Sequence, residues 1–205
     1  MFGKNAVRWI SVIAVVIAVV GVSAIVASAA VTSQLNPGAD SETNPEVEVI
    51  KFDVAEDMGN FAFDDAPVFD DGLPARGNSF ITQGYIYEHG TIDGTNGVLA
   101  DGSPEFPDKV IGTWVCRGWF IGDAAHAESG PWVITTQIYN FGEEYGNTTI
   151  VSEGYELADI NVPIQRAVTG GTGQYSNVGG QVEQQLLGFN GTEGVNIRFK
   201  ITLEQ

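Results

Sequence analysis

From Glu46 onward, short runs of β-type residues alternate with clusters of Gly, Pro, Asn and Asp, and no segment sustains a helical period. Val47 to Val54 alternates apolar with charged positions (Val47, Val49, Phe52, Val54), as a half-buried strand does. The same reading predicts strands at Ser79–Tyr87, Val110–Ile121, Trp132–Phe141, Thr148–Leu157, Ile164–Thr169, Gly180–Phe189 and Val195–Leu203. Asp64–Asn78 and Gly90–Asp108 read as loops, because Gly and Pro interrupt any pattern there. About eight strands at regular turn spacing predict a sandwich or a barrel. A barrel leaves no exposed strand edge, and eight strands enclose room for one small ligand. The expected fold is therefore all-β, a single antiparallel eight-stranded β-barrel over residues 46–205.

The residues before it form a separate object. Lys4 and Arg8 precede an apolar run from Trp9 to Val26, and Ala27-Ser28-Ala29-Ala30 supplies small residues suited to signal-peptidase cleavage. The run is long for a signal core and approaches the roughly 20 residues that span a bilayer. Residues 1–30 thus read as a hydrophobic helix, either a signal peptide or an N-terminal membrane anchor. Residues 31–45, polar and rich in Pro, Asn, Ser and acid, read as a flexible linker. Both fates make the body secreted or extracytoplasmic, with a membrane contacted only through the anchor.

Composition removes several classes of partner. All 26 acidic residues lie after position 30, against 7 basic ones there, so the body carries a formal charge of −19. Such a surface repels phosphate backbones, and no nucleic-acid partner is expected. Hydrophobic residues make up 43% of the chain, enough for a packed core. Cys116 is the single cysteine, so an intrachain disulfide cannot form.

Familiar catalytic signatures are missing. The glycines at Gly170, Gly171 and Gly173 lack the following helix whose N-terminus would hold a phosphate. His89 and His126 stand far apart with no ligand-spaced His or Cys, and the pairs Asp64-Asp65, Asp70-Asp71 and Glu143-Glu144 match no calcium loop. A Gly-x-Ser-x-Gly elbow is absent. Neither metal nor organic cofactor is expected.

Three landmarks in the last third carry a resemblance: Phe141-Gly142-Glu143-Glu144-Tyr145-Gly146, the step Gly154-Tyr155, and the turn Val168-Thr169-Gly170-Gly171-Thr172-Gly173, followed by Tyr175 and by Gly180-Gln181-Val182. Together they resemble the allene oxide cyclase/dirigent superfamily of small β-barrels, weakly from Glu46 and well from Trp132. The resemblance implies steering of a cyclisation, or of a stereoselective coupling, of a small hydrophobic intermediate. It further implies the subunit arrangement of relatives that are often trimeric, so a homotrimer or homodimer is expected. Phe52-Asp53-Val54 occupies the place of the family's aromatic-acid-aliphatic step, which would make Asp53 the catalytic acid. Tyr155 matches the cyclase tyrosine, and Cys116 the cysteine near the start of a middle strand. Ala55 stands where the cyclases carry an asparagine, which separates this chain from the plant substrate.

The residues themselves permit plainer roles. Asp53 could be an exposed polar residue, Tyr155 a rim or core aromatic, and Cys116 a small buried hydrophobe. On a regular strand Trp114 and Cys116 share one face, which suits the wall of an apolar cavity, while Arg117 and Trp119 share the other. The scarce cations Arg117 and Arg166 read as salt-bridge partners. The competing functional class is a non-enzymatic secreted binding or structural barrel. A hollow interior with Asp53 and Tyr155 pointing inward would separate the two.

Overall fold

Every strand of an open sheet has a neighbour on each side except the two at its edges, whose backbone N–H and C=O groups are left unpaired. Among the described residues there is no such edge. The computed structural model describes Val47–Glu204, in eight strands: β1 (Val47–Phe63), β2 (Ser79–Glu88), β3 (Val110–Phe120), β4 (Pro131–Phe141), β5 (Thr149–Leu157), β6 (Pro163–Gly171), β7 (Gly179–Phe189) and β8 (Val195–Glu204). Each pairs antiparallel with the next, and β8 returns to β1, from Val47 opposite Glu204 to Ala55 opposite Asn196, closing the barrel. The expected leader helix and linker lie outside the described residues.

The strand limits follow the apolar runs closely, except in β1. It continues nine residues past Val54, through a register shift between Asp57 and Ala62. Its first half pairs with β8 and its second with β2, so barrel stagger demands a strand longer than its apolar pattern. The polar residues Glu56, Asp57 and Asn60 mask that extension in the sequence. In the Thr169–Gly173 turn, Gly173 adopts φ +61°, and a Cβ there would strike the Asn147 carbonyl oxygen. One 3-10 turn, Gly173–Tyr175, follows and buries Tyr175 against Phe141, after which β7 begins. No phosphate-cradling helix forms.

Alternate side chains fill the lumen in two apolar clusters. The larger occupies the end where β1 enters and surrounds Phe52, Trp114, Tyr139 and Phe199. The rings of Phe52, Tyr139 and Phe199 lie 5.1–5.2 Å apart, in stacked and edge-on contact. At the opposite end, Phe120 and Val133 pack with Phe61, Phe80 and Trp132. A third cluster lies outside the wall, where the β2–β3 loop folds back and sets Ile92 and Val98 against Ala55 and Tyr87. The β1–β2 loop is tied by Asn78, whose amide donates to the Asp64 and Pro67 carbonyls and accepts from the Asp64 N–H.

Gly84 on β2 sets how closely β1 and β2 approach. A Cβ at Gly84 would strike the Ala55 carbonyl and lie 2.8 Å from Glu56 Cα. Gly84→Ala is therefore expected to cost roughly 1–3 kcal/mol of stability, the ordinary penalty of overpacking, measured by urea unfolding.

Candidate functional site

Strand alternation decides which of the candidate residues reach the lumen. On β3, Trp114 and Cys116 point inward and are almost fully buried, while Arg117 and Trp119 are exposed on the outer wall. Phe52 and Val54 point inward from β1, so Asp53 between them points out. It is nevertheless inaccessible. The β2–β3 loop covers it, donating to its carboxylate from Gly90 N–H (2.8 Å) and Ile92 N–H (3.1 Å). Arg198 on β8 grips the same carboxylate from Nε at 2.8 Å and Nη2 at 3.1 Å, and also donates to the Ile92 carbonyl. Asp53 thus fastens a loop to the outside of the β1–β8 seam. Tyr155 also faces out, about half exposed. The structure brings Trp114 and Cys116 together inside and places Asp53 and Tyr155 outside, on different parts of the wall.

Between the two apolar clusters the lumen carries a polar layer. Its hub is Glu156, the residue after Tyr155 and therefore turned inward. Glu156 Oε1 accepts from Thr135 Oγ1 (2.6 Å), Gln137 Nε2 (2.8 Å) and Cys116 Sγ (3.5 Å), and Arg166 Nη1 lies 3.8 Å away. Gln137 also donates to Gln184 Oε1 and accepts from the Tyr139 hydroxyl, which contacts Ser152 Oγ at 2.9 Å. Arg166 completes the net with bonds to Ser152 Oγ and to the Thr135 and Tyr155 carbonyls. That position has a structural cause. The β5–β6 ladder pairs only from Ile150 to Glu153, and beyond it the guanidinium takes the carbonyl that a strand neighbour would have taken.

A second carboxylate enters from β1. Glu56 continues the inward series of Phe52 and Val54, is almost fully buried, and accepts the Val195 N–H at 2.8 Å. Burial pushes its pKa up to about 7; the Thr82 hydroxyl and the Val195 bond oppose this, while repulsion from Glu156 and Asp57 adds to it. The Thr82 hydroxyl thus lies close enough to the Glu56 carboxyl to act on it without a bond of full hydrogen-bond geometry, whereas Trp114 Nε1 has no hydrogen-bond partner among the described residues. Both stand on the inward face, Thr82 paired in register with Cys116 and Trp114 with Gly84, the residue that pairs with Glu56. Burial, reinforced by the neighbouring Glu156, pushes the Cys116 thiol well up, which keeps it protonated and a poor nucleophile.

Alternation could have found both glutamates. Glu156 shares the parity of Ile150 and Ser152, and Glu56 that of Phe52 and Val54. Glu56 lies beyond the expected end of its strand at Val54, and Glu156 sits next to the tyrosine that carries the family resemblance. Among the described residues no three His, Cys, Asp or Glu side chains converge as metal ligands. A groove of about 300 Å³ lies on the outer wall among Gln165, Gln181, Glu183, Lys200, Thr202 and Glu204, away from the polar layer.

No protein-family model matches the sequence, and no curated protein matches it. Solved structures do. The pterocarpan synthase dirigent protein PsPTS1 superposes with a TM-score of 0.55 at 14% identity, over 78% of this chain and 96% of that one. For the pterocarpan synthase dirigent protein GePTS1 the TM-score is 0.52 at 13% identity, over 84% and 96%. The Diels Alderase AbmU from Streptomyces koyangensis gives 0.46 at 12% identity, over 80% and 71%. The closed eight-stranded architecture and the two dirigent superpositions define the class: this chain folds as an allene oxide cyclase/dirigent-like barrel.

Two measurements follow from this geometry. Asp53→Ala leaves Arg198 without its carboxylate and the loop without its anchor. A loss of roughly 3 kcal/mol is expected in urea unfolding, with faster amide exchange at Gly90 and Ile92. Glu56 has a folded pKa above its ordinary 4.5, so the folded state holds that proton more tightly than the unfolded chain. Its contribution is neutral below about pH 4.5 and becomes destabilising as pH rises through about 7, reaching roughly 3 kcal/mol. Glu56→Gln should remove that component, so the stability difference between variant and wild type should grow from pH 4.5 to pH 8.

Proposed function

We propose that this barrel is exported, admits a small hydrophobic intermediate to its lumen, and steers that molecule's cyclisation or stereoselective coupling. The observation that carries the reading is the polar layer: a buried carboxyl poised near neutrality, beside the unpartnered indole N–H of Trp114, inside an apolar tube. Fold likeness alone does not specify chemistry. The layer supplies what such chemistry needs. Protonated Glu56 donates to an oxygen of the guest as charge develops there, and Trp114 orients the guest through its free indole N–H. Glu156, held in place by Thr135, Gln137 and Arg166, lends negative charge to a developing cation. The rings of Phe52, Tyr139 and Trp114 fix the shape into which the guest folds. Export rests on the leader pattern Lys4–Ala30.

One observation favours a second reading, a structural or carrier barrel without catalysis. The rings of the larger cluster already touch across the lumen, so a guest must displace side chains to pass them. The test begins with native mass spectrometry of the purified protein against extracts of its own cells, which identifies the guest by mass. With that guest, Glu56→Gln should lower turnover about 100-fold or more, or abolish the product's enantiomeric excess. Wild-type activity should fall as pH rises through about 7, because the donor is the protonated acid. A bound guest whose product is unchanged in Glu56→Gln makes the barrel a carrier; no retained guest makes it structural.

A further inference from the structure

We propose that a guest enters the lumen through the end roofed by the β1–β2 and β3–β4 loops, and that Trp132, beneath that roof, selects it by size. This route presupposes the lumen reading above. The two ends of the barrel are closed differently. Where β1 enters, Phe52, Tyr139 and Phe199 are fully buried and their rings touch, so a guest passing there must displace them. At the other end Phe120 and Val133 are buried, but Phe61, Phe80 and Trp132 around them are only partly so. The roof over these residues consists of Phe69 from the β1–β2 loop with Ala124 and Ala125 from the β3–β4 loop. Both lumen carboxylates lie toward this end. Glu156 is the last residue but one of β5, in register with Val133, and Glu56 accepts from the N–H of Val195, the first residue of β8. The wall is also least continuous here, because β5 and β6 cease to pair beyond Glu153 and Arg166 spans the gap.

The roof is lightly held at its tip and firmly at its base. Asn78 ties the base, and the Gly77 N–H donates to the Phe120 carbonyl at 2.8 Å. The tip is a small hairpin in which Val68 bridges to Pro74, and it meets the β3–β4 loop at three points. Asp71 Oδ2 lies 2.9 Å from His126 Nε2, the Phe69 ring stacks on the His126 imidazole at 4.1 Å, and the Ala125 N–H donates to the Pro74 carbonyl at 3.3 Å. The His126 and Asp71 side chains are 45% and 51% exposed, and an exposed pair of this kind contributes little to stability. Ala124, fully buried under the tip, has φ +54°, a left-handed conformation that a non-glycine residue keeps only while its surroundings impose it. The tip can therefore lift while the base stays tied, a local opening far less costly than unfolding the barrel.

Trp132 stands where that opening leads. It lies at the register shift between Pro131 and Val133 and packs against both the smaller and the larger cluster, as Phe80 also does. These two rings form the neck between the roof and the polar layer. Trp132 Nε1 is buried with no hydrogen-bond partner among the described residues, so the neck offers a donor to an oxygen-bearing guest. An indole at a neck also rejects broad molecules by collision, which makes Trp132 a determinant of specificity.

Cys116 reports entry directly, since it is the single cysteine of the chain, is buried, and bonds Glu156 in the polar layer. The full chain is exposed to N-ethylmaleimide or to the broader N-phenylmaleimide, and labelling is timed by intact mass. Asp71→Ala and His126→Ala should each speed labelling by N-ethylmaleimide about fivefold or more. Val178→Ala, which loosens the packing at the other end, should change it less than about twofold. Trp132→Ala should raise the rate with N-phenylmaleimide about tenfold relative to N-ethylmaleimide, whereas Trp132→Phe, which keeps a ring, should move that ratio little. Urea unfolding of each variant gives its global stability, against which the labelling rates are compared. Labelling that follows global stability in every variant overturns the proposal. So does acceleration by Val178→Ala equal to that by Asp71→Ala, or a size ratio unmoved by Trp132→Ala. The route and the lumen chemistry fail separately. A guest retained from cell extract, with labelling through the other end, removes the route alone; labelling as expected, with no guest retained, removes the chemistry alone.

Discussion

Closure of β8 onto β1 is the constraint from which the rest follows. Once the seam from Val47–Glu204 to Ala55–Asn196 is paired, every strand residue is committed to the lumen or to the outer wall, with no intermediate option. A shift of one residue anywhere would exchange the two sets wholesale. The seam is guarded for that reason. Asp53 and Arg198, directly opposite each other across it, form a two-point ion pair, and the β2–β3 loop covers the carboxylate of that pair. A bonded, paired and covered carboxylate is costly to disturb, so the loop and the seam hold each other in register.

The same constraint explains what could be read from the sequence. Eight strands, their turns and the barrel itself follow from apolar runs punctuated by glycine. The pairing of Trp114 with Cys116 on one face, and of Arg117 with Trp119 on the other, follows from the two-residue period. The acid was harder, because the apolar positions of β1 change parity. Val47 and Val49 are exposed on the outer wall, whereas Ile50, Phe52 and Val54 continue the inner face. Asp53 next to two buried residues looks like a pocket acid in sequence and is a seam residue in space. Glu56, two steps beyond the last apolar residue of the expected strand, is the acid that parity sends inside. What the sequence concealed was the end of β1, since a stretch rich in Glu, Asp and Asn does not resemble a strand until its partners are known.

A polar layer inside a β-barrel is an unusual expenditure of stability, because desolvating Glu56, Glu156 and Arg166 opposes folding. The layer is largely satisfied around Glu156, where three donors and a guanidinium converge on one oxygen. It is incompletely satisfied around Glu56, where the Val195 N–H and the Thr82 hydroxyl face the carboxylate while Trp114 Nε1 goes unpartnered among the described residues. A network built only to specify the core gains by closing every bond. One left open on a single side retains capacity to bond a guest, and that asymmetry separates a binding layer from a purely structural one.

Much of the polar layer and the outer wall of β3, β4 and β5 are built from alternate residues of the same strands. Cys116 and Arg117, Thr135 and Thr136, and Tyr155 and Glu156 are neighbours in sequence that look in opposite directions. Any displacement of that outer wall therefore acts on the backbone that positions Cys116, Thr135, Gln137 and Glu156. The β5–β6 junction is where that backbone is least restrained by its own ladder, since pairing stops at Glu153 and Arg166 alone bridges to the Tyr155 carbonyl. The guanidinium that fastens β5 there also stands 3.8 Å from Glu156, so one side chain holds both the strand and the polar layer.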